Sequence, residues 1–262
     1  MTEHAPTAAF FDLDKTIIAT SSSMAFSRPF FEGGLLTRTD ALRTAYAQFL
    51  FQIGGADERQ TTRLRDALSE LIKGWEVAKV EGIVAETLHD YIDPVVYDEA
   101  LELIALHHRY GRDVVIVSAS AYEVVKPIAD MLGADGVIAS QMGVKHGKYT
   151  GDITFYAYGE AKATAIREMA ADRGYDLSSS YGYSDSITDA PMLSVVGHGY
   201  AVNPDRGLRR QAAEHGWGAL RFKRPVALRG GGSPGSVAVG IAIVAVGIVA
   251  AVLIARSVRR RR

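Results

Sequence analysis

We predict an α/β fold, because short apolar runs that are typical of buried strands alternate with longer stretches of helical periodicity. Two of these runs, 8–11 and 114–117, and a third that begins at Tyr181 each lead directly into Asp or Ser residues. In open parallel sheets, ligands bind outside the carboxyl ends of the strands. The sequence therefore predicts a parallel sheet whose polar residues meet in one pocket at that edge.

The first apolar run carries most of the functional information. It is followed by Asp12-Leu13-Asp14 and closed by Thr16. Side chains at i and i+2 of an extended chain point to the same side, so Asp12 and Asp14 can share one pocket. Like charges this close push their pKa values apart, so one carboxylate can stay ionised while the other holds a proton. An isolated pair of this kind also occurs in ordinary turns, so its interpretation depends on the later segments.

The residues between the first and second strands are helical in pattern. Apolar positions recur at helical spacing, and Gly or Asp-Pro stops the stretches. These apolar positions are most simply core-facing. The pattern predicts helices over 38–53, 57–73, 77–91 and 97–110.

Three later segments supply further polar residues in a characteristic order. The second strand ends in Ser118, Lys162 lies in the first turn of a predicted helix, and the third strand leads into Asp185 and Asp189. This series resembles the four motifs of the haloacid dehalogenase superfamily, specifically its phosphoserine phosphatase-like branch, subfamily IB. The resemblance extends over about residues 8–209.

The resemblance implies a doubly wound, Rossmann-like parallel sheet with an inserted helical cap. The phosphatase core would comprise 1–16 and 109–225, and the cap 17–108. Residues 144–152 resemble the two-stranded flap of this branch, with His146-Gly147 as a tight hairpin turn. Residues 200–205 resemble the last core strand and the turn after it.

The resemblance also implies how a phosphate monoester would be hydrolysed. Such a dianion needs a nucleophile, a metal that offsets charge, and an acid for the leaving oxygen. Asp12 would attack phosphorus and become an aspartyl-phosphate. Asp14 would protonate the leaving group and later activate water. Mg²⁺ is the expected cofactor, held by the carboxylates of Asp12 and Asp185 and by the backbone carbonyl of Asp14.

The remaining motif residues would bind phosphate or support the site. Ser118 would donate its hydroxyl to a phosphate oxygen, and Lys162 would meet the same charge. Asp189 would orient either the metal shell or Lys162, and Thr16 would fix the first loop. His107 and His108 lie near a predicted helix end, where contact with the helix dipole is a sufficient explanation. We assign the two histidines no catalytic role.

The chain departs from phosphoserine phosphatases at the positions that recognise the amino acid. Ser21 stands where those enzymes carry a glutamate that meets the substrate's amino group. Ala119-Ser120 replaces the glycines that follow the second-motif serine, and Ser184 and Ser186 replace the glycines around the metal-binding aspartate. The catalytic acids and the lysine are retained. The substrate is therefore left unassigned.

Composition excludes several other classes of protein. The chain has no cysteine, which excludes disulfides, thiol catalysis and cysteine-ligated zinc. Nine of its basic residues and none of its acids lie from Arg221 onward, so residues 1–220 carry a net charge of −10. An acidic body of this kind is a poor general binder of nucleic acid, and no nucleic-acid partner is predicted.

The C-terminal region has the composition of a membrane anchor. The Gly-rich stretch 226–235 is a predicted flexible linker, and 236–255 is a run of twenty residues without a charge. Such a run is about 30 Å long as a helix and matches a bilayer. The basic tail 256–262 follows. A buried terminal helix is the alternative, but a glycine-rich tether and five following arginines favour a membrane span.

We predict a single-pass membrane protein with a cytoplasmic catalytic domain. Basic residues flank the predicted span almost equally, so charge does not decide its orientation. The first residues, Met1 to Thr7, lack the basic and apolar regions of a signal peptide, which favours a cytoplasmic body. Nothing in the sequence predicts an oligomeric state.

Three functional hypotheses follow. The first is a magnesium-dependent phosphomonoester hydrolase, phosphoserine phosphatase-like, with its substrate unassigned. The second is a membrane lipid-phosphate phosphatase of the phosphatidylglycerophosphate type, as in some bacterial relatives of this branch. The third is a non-catalytic membrane regulator that binds a phosphorylated ligand. The retained acids and lysine favour the two enzymes.

Overall fold

The computed structural model describes residues 5–37, 66 and 69–225. All of these belong to the first of two units into which the chain divides, Met1–Leu228. Among the described residues, no helix is both long enough and apolar enough to cross a bilayer. The following predictions lie outside the described residues: the helix 38–53, most of the helix 57–73, the linker 226–235, the membrane helix 236–255 and the tail 256–262.

In the part of the chain that the structure describes, seven strands form one sheet, and every neighbouring pair is parallel except β3 with β4. Their order across the sheet is β4-β3-β2-β1-β5-β6-β7, so the winding direction reverses between β1 and β5. The predicted α/β parallel sheet is confirmed. The strands are β1 (Ala8–Asp12), β2 (Asp113–Ala121), β3 (Gly136–Lys145), β4 (Lys148–Phe155), β5 (Tyr181–Ser184), β6 (His198–Val202) and β7 (Gly218–Leu220).

Eight α-helices lie within the described residues. The helices predicted over 77–91 and 97–110 are confirmed, while two short helices after β1 were not predicted. The short strand β7 is also additional, because the sequence placed the last strand at 200–205. The helices are α1 (Ser22–Ala25), α2 (Ser27–Glu32), α3 (Val77–Tyr91), α4 (Asp98–Arg109), α5 (Tyr122–Met131), α6 (Glu160–Arg173), α7 (Ala190–Ser194) and α8 (Arg206–His215).

The sheet is covered on both faces, which explains the uninterrupted apolar run of β1. Phe10 packs into one hydrophobic cluster with residues of α6, α7 and α8, and Phe11 packs into another with residues of α3, α4 and α5. All five residues of β1 are buried. Burying a Phe side chain stabilises a fold by about 1.5–3 kcal/mol. Strands buried on both faces show no alternation of apolar and polar residues.

The predicted flap is part of a longer antiparallel hairpin formed by β3 and β4. His146 and Gly147 form its turn, with φ values of 52° and 74°. Positive φ at both central residues is what a type I′ hairpin turn requires. The hairpin is hydrogen-bonded to the segment before α3, through Tyr149 N to the Trp75 carbonyl and Val77 N to the Gly147 carbonyl, both at 3.0 Å. The flap is therefore joined to the segment that leads into α3.

His107 is a buried structural residue of α4, packed against the sheet. Its Nε2 lies 2.8 Å from the Tyr183 hydroxyl, and its ring makes an edge contact with Phe11. Burial, with Arg112 and His108 contributing, lowers the pKa of His107 to about 4. An uncharged imidazole cannot make the favourable charge–dipole contact expected from the sequence. For His107 that explanation is wrong, because tertiary burial keeps the ring neutral.

Candidate active site

The candidate site lies at the carboxyl ends of β1, β2 and β5, where the direction of winding reverses. Asp12 ends β1, and Asp185 follows β5 directly. β1 and β5 are paired neighbours, so the two aspartates emerge from adjacent strands. The crevice between two such strands is the usual ligand site of an open α/β sheet. The sheet topology therefore brings together residues that lie far apart in the chain.

Ser118 lies inside β2 rather than at its end. The pairing of β2 with β1 stops at Val117, which lies opposite Asp12 and is the last residue of the strand predicted from the sequence. β2 nevertheless continues to Ala121 beside β3, with a register irregularity between Ser118 and Ala121. An irregularity of this kind bends a strand and redirects its side chains. Ser118 is buried, at 1% exposure, immediately beyond the level of Asp12.

A tight loop carries the chain from β1 past Asp14. The Leu13 carbonyl accepts hydrogen bonds from Ile17 N at 2.9 Å and Ile18 N at 3.1 Å. Leu13, Ile17 and Ile18 are fully buried and anchor the loop in the core. Lys15 has a φ of 63°, a left-handed conformation that few non-glycine residues adopt. The loop thus holds Asp14 close to the end of β1.

Lys162 joins two carboxylates in a buried charge cluster. Its Nζ lies 2.7 Å from Asp12 Oδ1 and 2.7 Å from Asp189 Oδ2. The Ser184 hydroxyl donates to Asp189 Oδ2 at 2.7 Å, and the Thr16 hydroxyl donates to Asp12 Oδ2 at 3.2 Å. Asp12, Lys162 and Asp189 are 6%, 2% and 3% exposed. Asp189 therefore contacts Lys162 directly. The sequence had left open whether Asp189 orients Lys162 or the metal shell.

Burial and the salt bridge between Lys162 and Asp12 shift the pKa values of these two side chains in opposite directions. Burial alone lowers the pKa of Lys162, but Asp12 and Asp189 outweigh it and hold the pKa above its ordinary value. The lysine is therefore charged at neutral pH. Burial raises the pKa of Asp12 well above its ordinary value, with neighbouring aspartates adding to the rise and Lys162 opposing it. The salt bridge favours the ionised carboxylate, which is the form that a nucleophile needs.

Asp14 has a different set of partners, all of them serine groups. Ser22 N donates to Asp14 Oδ1 at 2.7 Å, and the Ser120 hydroxyl donates to Asp14 Oδ2 at 3.1 Å. The Ser22 hydroxyl in turn donates to Ser120 Oγ at 2.8 Å. Burial raises the pKa of Asp14, and these hydrogen bonds offset part of the rise. Asp12 is thus paired with a cation, whereas Asp14 is held by neutral donors.

Ser118 is linked to the same serine group. Its oxygen accepts a hydrogen bond from Ser120 N at 3.2 Å. A hydroxyl can donate its own hydrogen while it accepts another. Ser118 can therefore donate to a phosphate oxygen without losing its backbone contact.

The donor set fits a magnesium ion that is shared with a substrate. Mg²⁺ prefers oxygen ligands and is usually held by one or two carboxylates together with water and substrate phosphate. Asp12 and Asp185 offer carboxylates, and Asp14 offers a carbonyl. Burial, with Asp189 and Asp205 adding to it and Lys15 and Lys162 opposing it, raises the pKa of Asp185 to about 7. Burial is the main cause of this rise, and a divalent cation bound beside the carboxylate would favour its ionised form.

The described part of the chain contains no group of three or more His, Cys, Asp or Glu side chains arranged to hold a metal ion by themselves. The donor set above is of a different kind, because it has two carboxylates and a backbone carbonyl. An ion bound there would complete its shell with water and phosphate oxygens.

Sequence reasoning missed the parts played by Ser22, Ser120 and Ser184. It treated Ser120 and Ser184 as departures from the glycines of related enzymes and left Ser22 unmentioned. In the structure, Ser120 contacts Asp14 and Ser184 contacts Asp189. The available signal was the replacement of glycine by a hydrogen-bonding residue beside a motif aspartate.

Comparison with known proteins agrees with this geometry. A model of the haloacid dehalogenase-like hydrolase family matches residues 9–194. A Streptomyces azureus protein named inhibition of morphological differentiation protein is 60% identical, over 85% of this chain and 81% of its own length. A probable phosphatase from Mycobacterium tuberculosis is 59% identical, over 86% of this chain and 78% of that protein. A phosphoserine phosphatase of the same species is 34% identical, over 90% of this chain and 77% of that protein.

Solved structures share the fold. A Bordetella pertussis protein of unknown function superposes with a TM-score of 0.72 at 26% identity, covering 83% of this chain and 99% of that one. A phosphoserine phosphatase solved as a phospho-aspartyl intermediate analogue has a TM-score of 0.61 at 22% identity, covering 84% of this chain and 95% of that one. The chain belongs to the haloacid dehalogenase-like hydrolase family, as a phosphatase with a phosphoserine phosphatase-like fold.

Proposed function

We propose that the protein is a magnesium-dependent phosphomonoester hydrolase that acts through an aspartyl-phosphate on Asp12. The observation that carries this proposal is the contrast between the two motif acids. Asp12 is buried beside the Lys162 ammonium, at 2.7 Å, whereas Asp14 is held only by neutral donors. One carboxylate is thus suited to remain ionised and attack, and the other to carry a proton.

In the first half of the reaction, an oxygen of Asp12 attacks phosphorus and forms a new P–O bond. The ester P–O bond breaks, and the Asp14 proton moves to the leaving oxygen, so the alcohol departs neutral. Lys162 and Ser118 stabilise the charge on the transferring phosphoryl group. A bound Mg²⁺, held by Asp12, Asp185 and the Asp14 carbonyl, would offset charge on the phosphate oxygens.

In the second half, Asp14 is a carboxylate and acts as the base. It takes a proton from water as the water oxygen attacks phosphorus. The bond between phosphorus and Asp12 breaks, which releases inorganic phosphate and regenerates both acids. Asp189 keeps Lys162 in place through its 2.7 Å contact, and Thr16 keeps Asp12 oriented through its hydroxyl. These two residues have supporting roles.

The proposed test uses Asp12→Asn with Asp130→Asn as the matched control. Asp130 is an exposed partner of Lys126 on α5. We expect the wild-type protein and the control to release phosphate in a chelator-sensitive manner and to form an acid-stable phosphoenzyme. Asp12→Asn should do neither, although it should still be folded and unfold in a cooperative thermal transition. Full phosphate release by Asp12→Asn would contradict the assignment of the nucleophile.

The substrate can be narrowed by a panel of phosphate monoesters. We would compare O-phosphoserine, small sugar and alcohol phosphates, and lipid phosphates in micelles. A relative named phosphoserine phosphatase supports the first of these. The serine at position 21 argues against it, because a neutral side chain offers no charge partner to an ammonium group. We expect the small sugar and alcohol phosphates to be hydrolysed faster than O-phosphoserine.

A second candidate is a membrane lipid-phosphate phosphatase of the phosphatidylglycerophosphate type. The position of the last described residues, 221–225, favours it. β7 is parallel to its neighbour, so residues 221–225 leave the sheet at the edge that carries Asp12. The Arg224 carbonyl accepts from Asp98 N at 2.9 Å, which fixes this segment beside the start of α4. The last described residues, 221–225, thus lie on the active-site side of the sheet.

We propose that 236–255 anchors the protein in a membrane, with the catalytic body in the cytoplasm. A ten-residue Gly-rich linker has a mean extension of about 18 Å, which would keep the active-site edge near the lipid surface. Deleting Arg229–Arg262 should spare hydrolysis of small esters and reduce hydrolysis of lipid phosphates in vesicles. Equal loss on both substrates would contradict the lipid proposal. Absence of turnover on every ester by a folded, Mg²⁺-binding protein would favour the non-catalytic regulator.

A further inference from the structure

Two serines from opposite sides of the site hold the carboxyl group of Asp14. Ser22 is the first residue of α1, and Ser120 lies 98 residues later, near the end of β2. Ser22 N donates to one oxygen of Asp14, at 2.7 Å, and the Ser120 hydroxyl donates to the other, at 3.1 Å. The Ser22 hydroxyl then donates to Ser120, at 2.8 Å. We refer to Ser22, Ser120 and Asp14 as the serine clasp.

The contacts of the clasp restrict how the Asp14 carboxyl group can turn. With both oxygens engaged, rotation about the last side-chain bond would break two hydrogen bonds at once. A backbone N–H can only donate, so the oxygen facing Ser22 must be an acceptor. The Ser120 hydroxyl donates to the other oxygen, so both oxygens of the group accept a hydrogen bond. The clasp therefore fixes the plane of the Asp14 carboxyl group.

We propose that Ser120 and Ser22 are positioning residues, which hold the carboxyl group of Asp14 in the orientation needed for proton transfer to the leaving-group oxygen of the substrate. This inference rests on the proposed function, because it assumes that Asp14 is the general acid. Ser120 supplies the hydroxyl that contacts Asp14 directly. Ser22 is fully buried, which keeps the donor end of the clasp away from water.

The effect of removing the clasp should depend on the leaving group of the substrate. In the first step, the Asp14 proton moves to the ester oxygen as the P–O bond breaks, so an alkoxide never has to depart as an anion. A dinitrophenolate is stable as an anion and departs without that proton. Loss of the clasp should therefore slow the first step for an alkyl phosphate and spare it for 2,4-dinitrophenyl phosphate.

The second step gives an independent signature. Hydrolysis of the aspartyl-phosphate needs Asp14 to take a proton from water, whichever ester was used. With the clasp removed, phosphoenzyme should form from dinitrophenyl phosphate at the normal rate and then accumulate. A burst of dinitrophenol followed by slow turnover is thus expected of the variant. A general loss of structure would reduce the burst itself.

The test uses full-length protein with Mg²⁺ and four variants. Ser120→Ala and the Ser22→Ala, Ser120→Ala double variant remove the clasp, and Ser120→Thr keeps a hydroxyl. Ser23→Ala is the matched control, because Ser23 lies on the same helix, is exposed, and bonds to Ser21 rather than to Asp14. We expect Ser120→Ala to lower the alkyl phosphate rate by about 10- to 100-fold and the dinitrophenol burst rate by less than about threefold.

Ser120→Thr should recover most of the alkyl phosphate rate, and Ser23→Ala should match wild type on both esters. The double variant should lose little more than Ser120→Ala, because the two hydroxyls act in series. An equal loss of burst rate and alkyl phosphate rate, or no loss of either, would overturn the positioning role. If Ser120→Ala does not fold, Ser22→Ala, which keeps the backbone donor, should show the same selectivity at a smaller amplitude. Wild-type protein that forms no phosphoenzyme would overturn the proposed function itself, and the inference with it.

Discussion

Replacing Lys162 with Met removes the ammonium that lies between Asp12 and Asp189. The nitrogen lies 2.7 Å from an oxygen of each carboxylate, and the three side chains are 3%, 8% and 4% exposed. At that distance and an effective dielectric of about 20, each pair is worth about 6 kcal/mol before desolvation is counted. Removing one member of a buried ion pair typically costs about 3–5 kcal/mol net. We expect Lys162→Met to lower the free energy of unfolding by that amount at neutral pH.

The pH dependence of this loss has a definite sign. Burial already raises the pKa of Asp12, and Lys162 opposes the rise, so removing Lys162 raises the pKa further. A group whose folded-state pKa lies above its unfolded value favours folding when it is protonated. Its contribution is present at low pH and is lost as pH rises through the folded pKa. The deficit of Lys162→Met should therefore be smaller at pH 5 than at pH 8.

The assay is urea unfolding at both pH values with a chelator present, so that no metal ion replaces the ammonium. Lys126→Met is the matched control, because Lys126 makes a 2.6 Å pair with Asp130 at the surface, where the side chains are 43% and 57% exposed. Exposed pairs of this kind contribute about 0.2–1 kcal/mol. A loss below about 1 kcal/mol for Lys162→Met, or a deficit that grows at low pH, would refute the reasoning.

Two further predictions concern stability. Because burial lowers the pKa of His107 to about 4, the unfolded chain binds a proton below about pH 6.5 that the folded chain excludes. Wild type should therefore lose about 2–3 kcal/mol more than His107→Gln between pH 7 and pH 4 in urea unfolding, and parallel pH profiles would contradict this. Ser184→Ala removes the hydroxyl that donates to Asp189 at 2.7 Å and should lower the unfolding free energy by about 1–2 kcal/mol. An unchanged thermal transition would contradict this second prediction.

Ser120 and Ser184 each supply a hydrogen-bond donor to a motif carboxylate. The Ser120 hydroxyl contacts the partly buried Asp14, and the Ser184 hydroxyl contacts the buried Asp189. A carboxylate that is removed from water without donors is costly, and each neutral donor reduces that cost. The two serines therefore stabilise these acids of the site.

Much of the fold follows from local features of the sequence. The apolar run of β1 and the second run at 114–117 are strands, and the helix predicted over 77–91 has the same bounds in the structure. Strand and helix periodicities depend on neighbouring residues, so they can be read from one chain. The acids after β1 and β5 were identified in the same way, because polar residues directly follow apolar runs.

Contacts between residues that are distant in the chain could not be predicted from local periodicity. Lys162 and Asp12 lie 150 residues apart, and Ser22 and Ser120 lie 98 apart. Nothing in the sequence around Ser22 marks it as a partner of Asp14. The neutral state of His107 could not be predicted from the sequence either, because it depends on the packing of α4 against β5 and β1.

The sequence by itself determined the α/β class, the strand-end acids and the lysine, because these depend on the order of apolar and polar residues along the chain. Only the tertiary structure decided which acid faces a cation and which is held by serines. Burial and charge set pKa values through space, and a parallel sheet brings its strand ends together whatever their separation in sequence. That is the physical reason why the sequence alone identified the residues of this site, whereas their pairing required the fold.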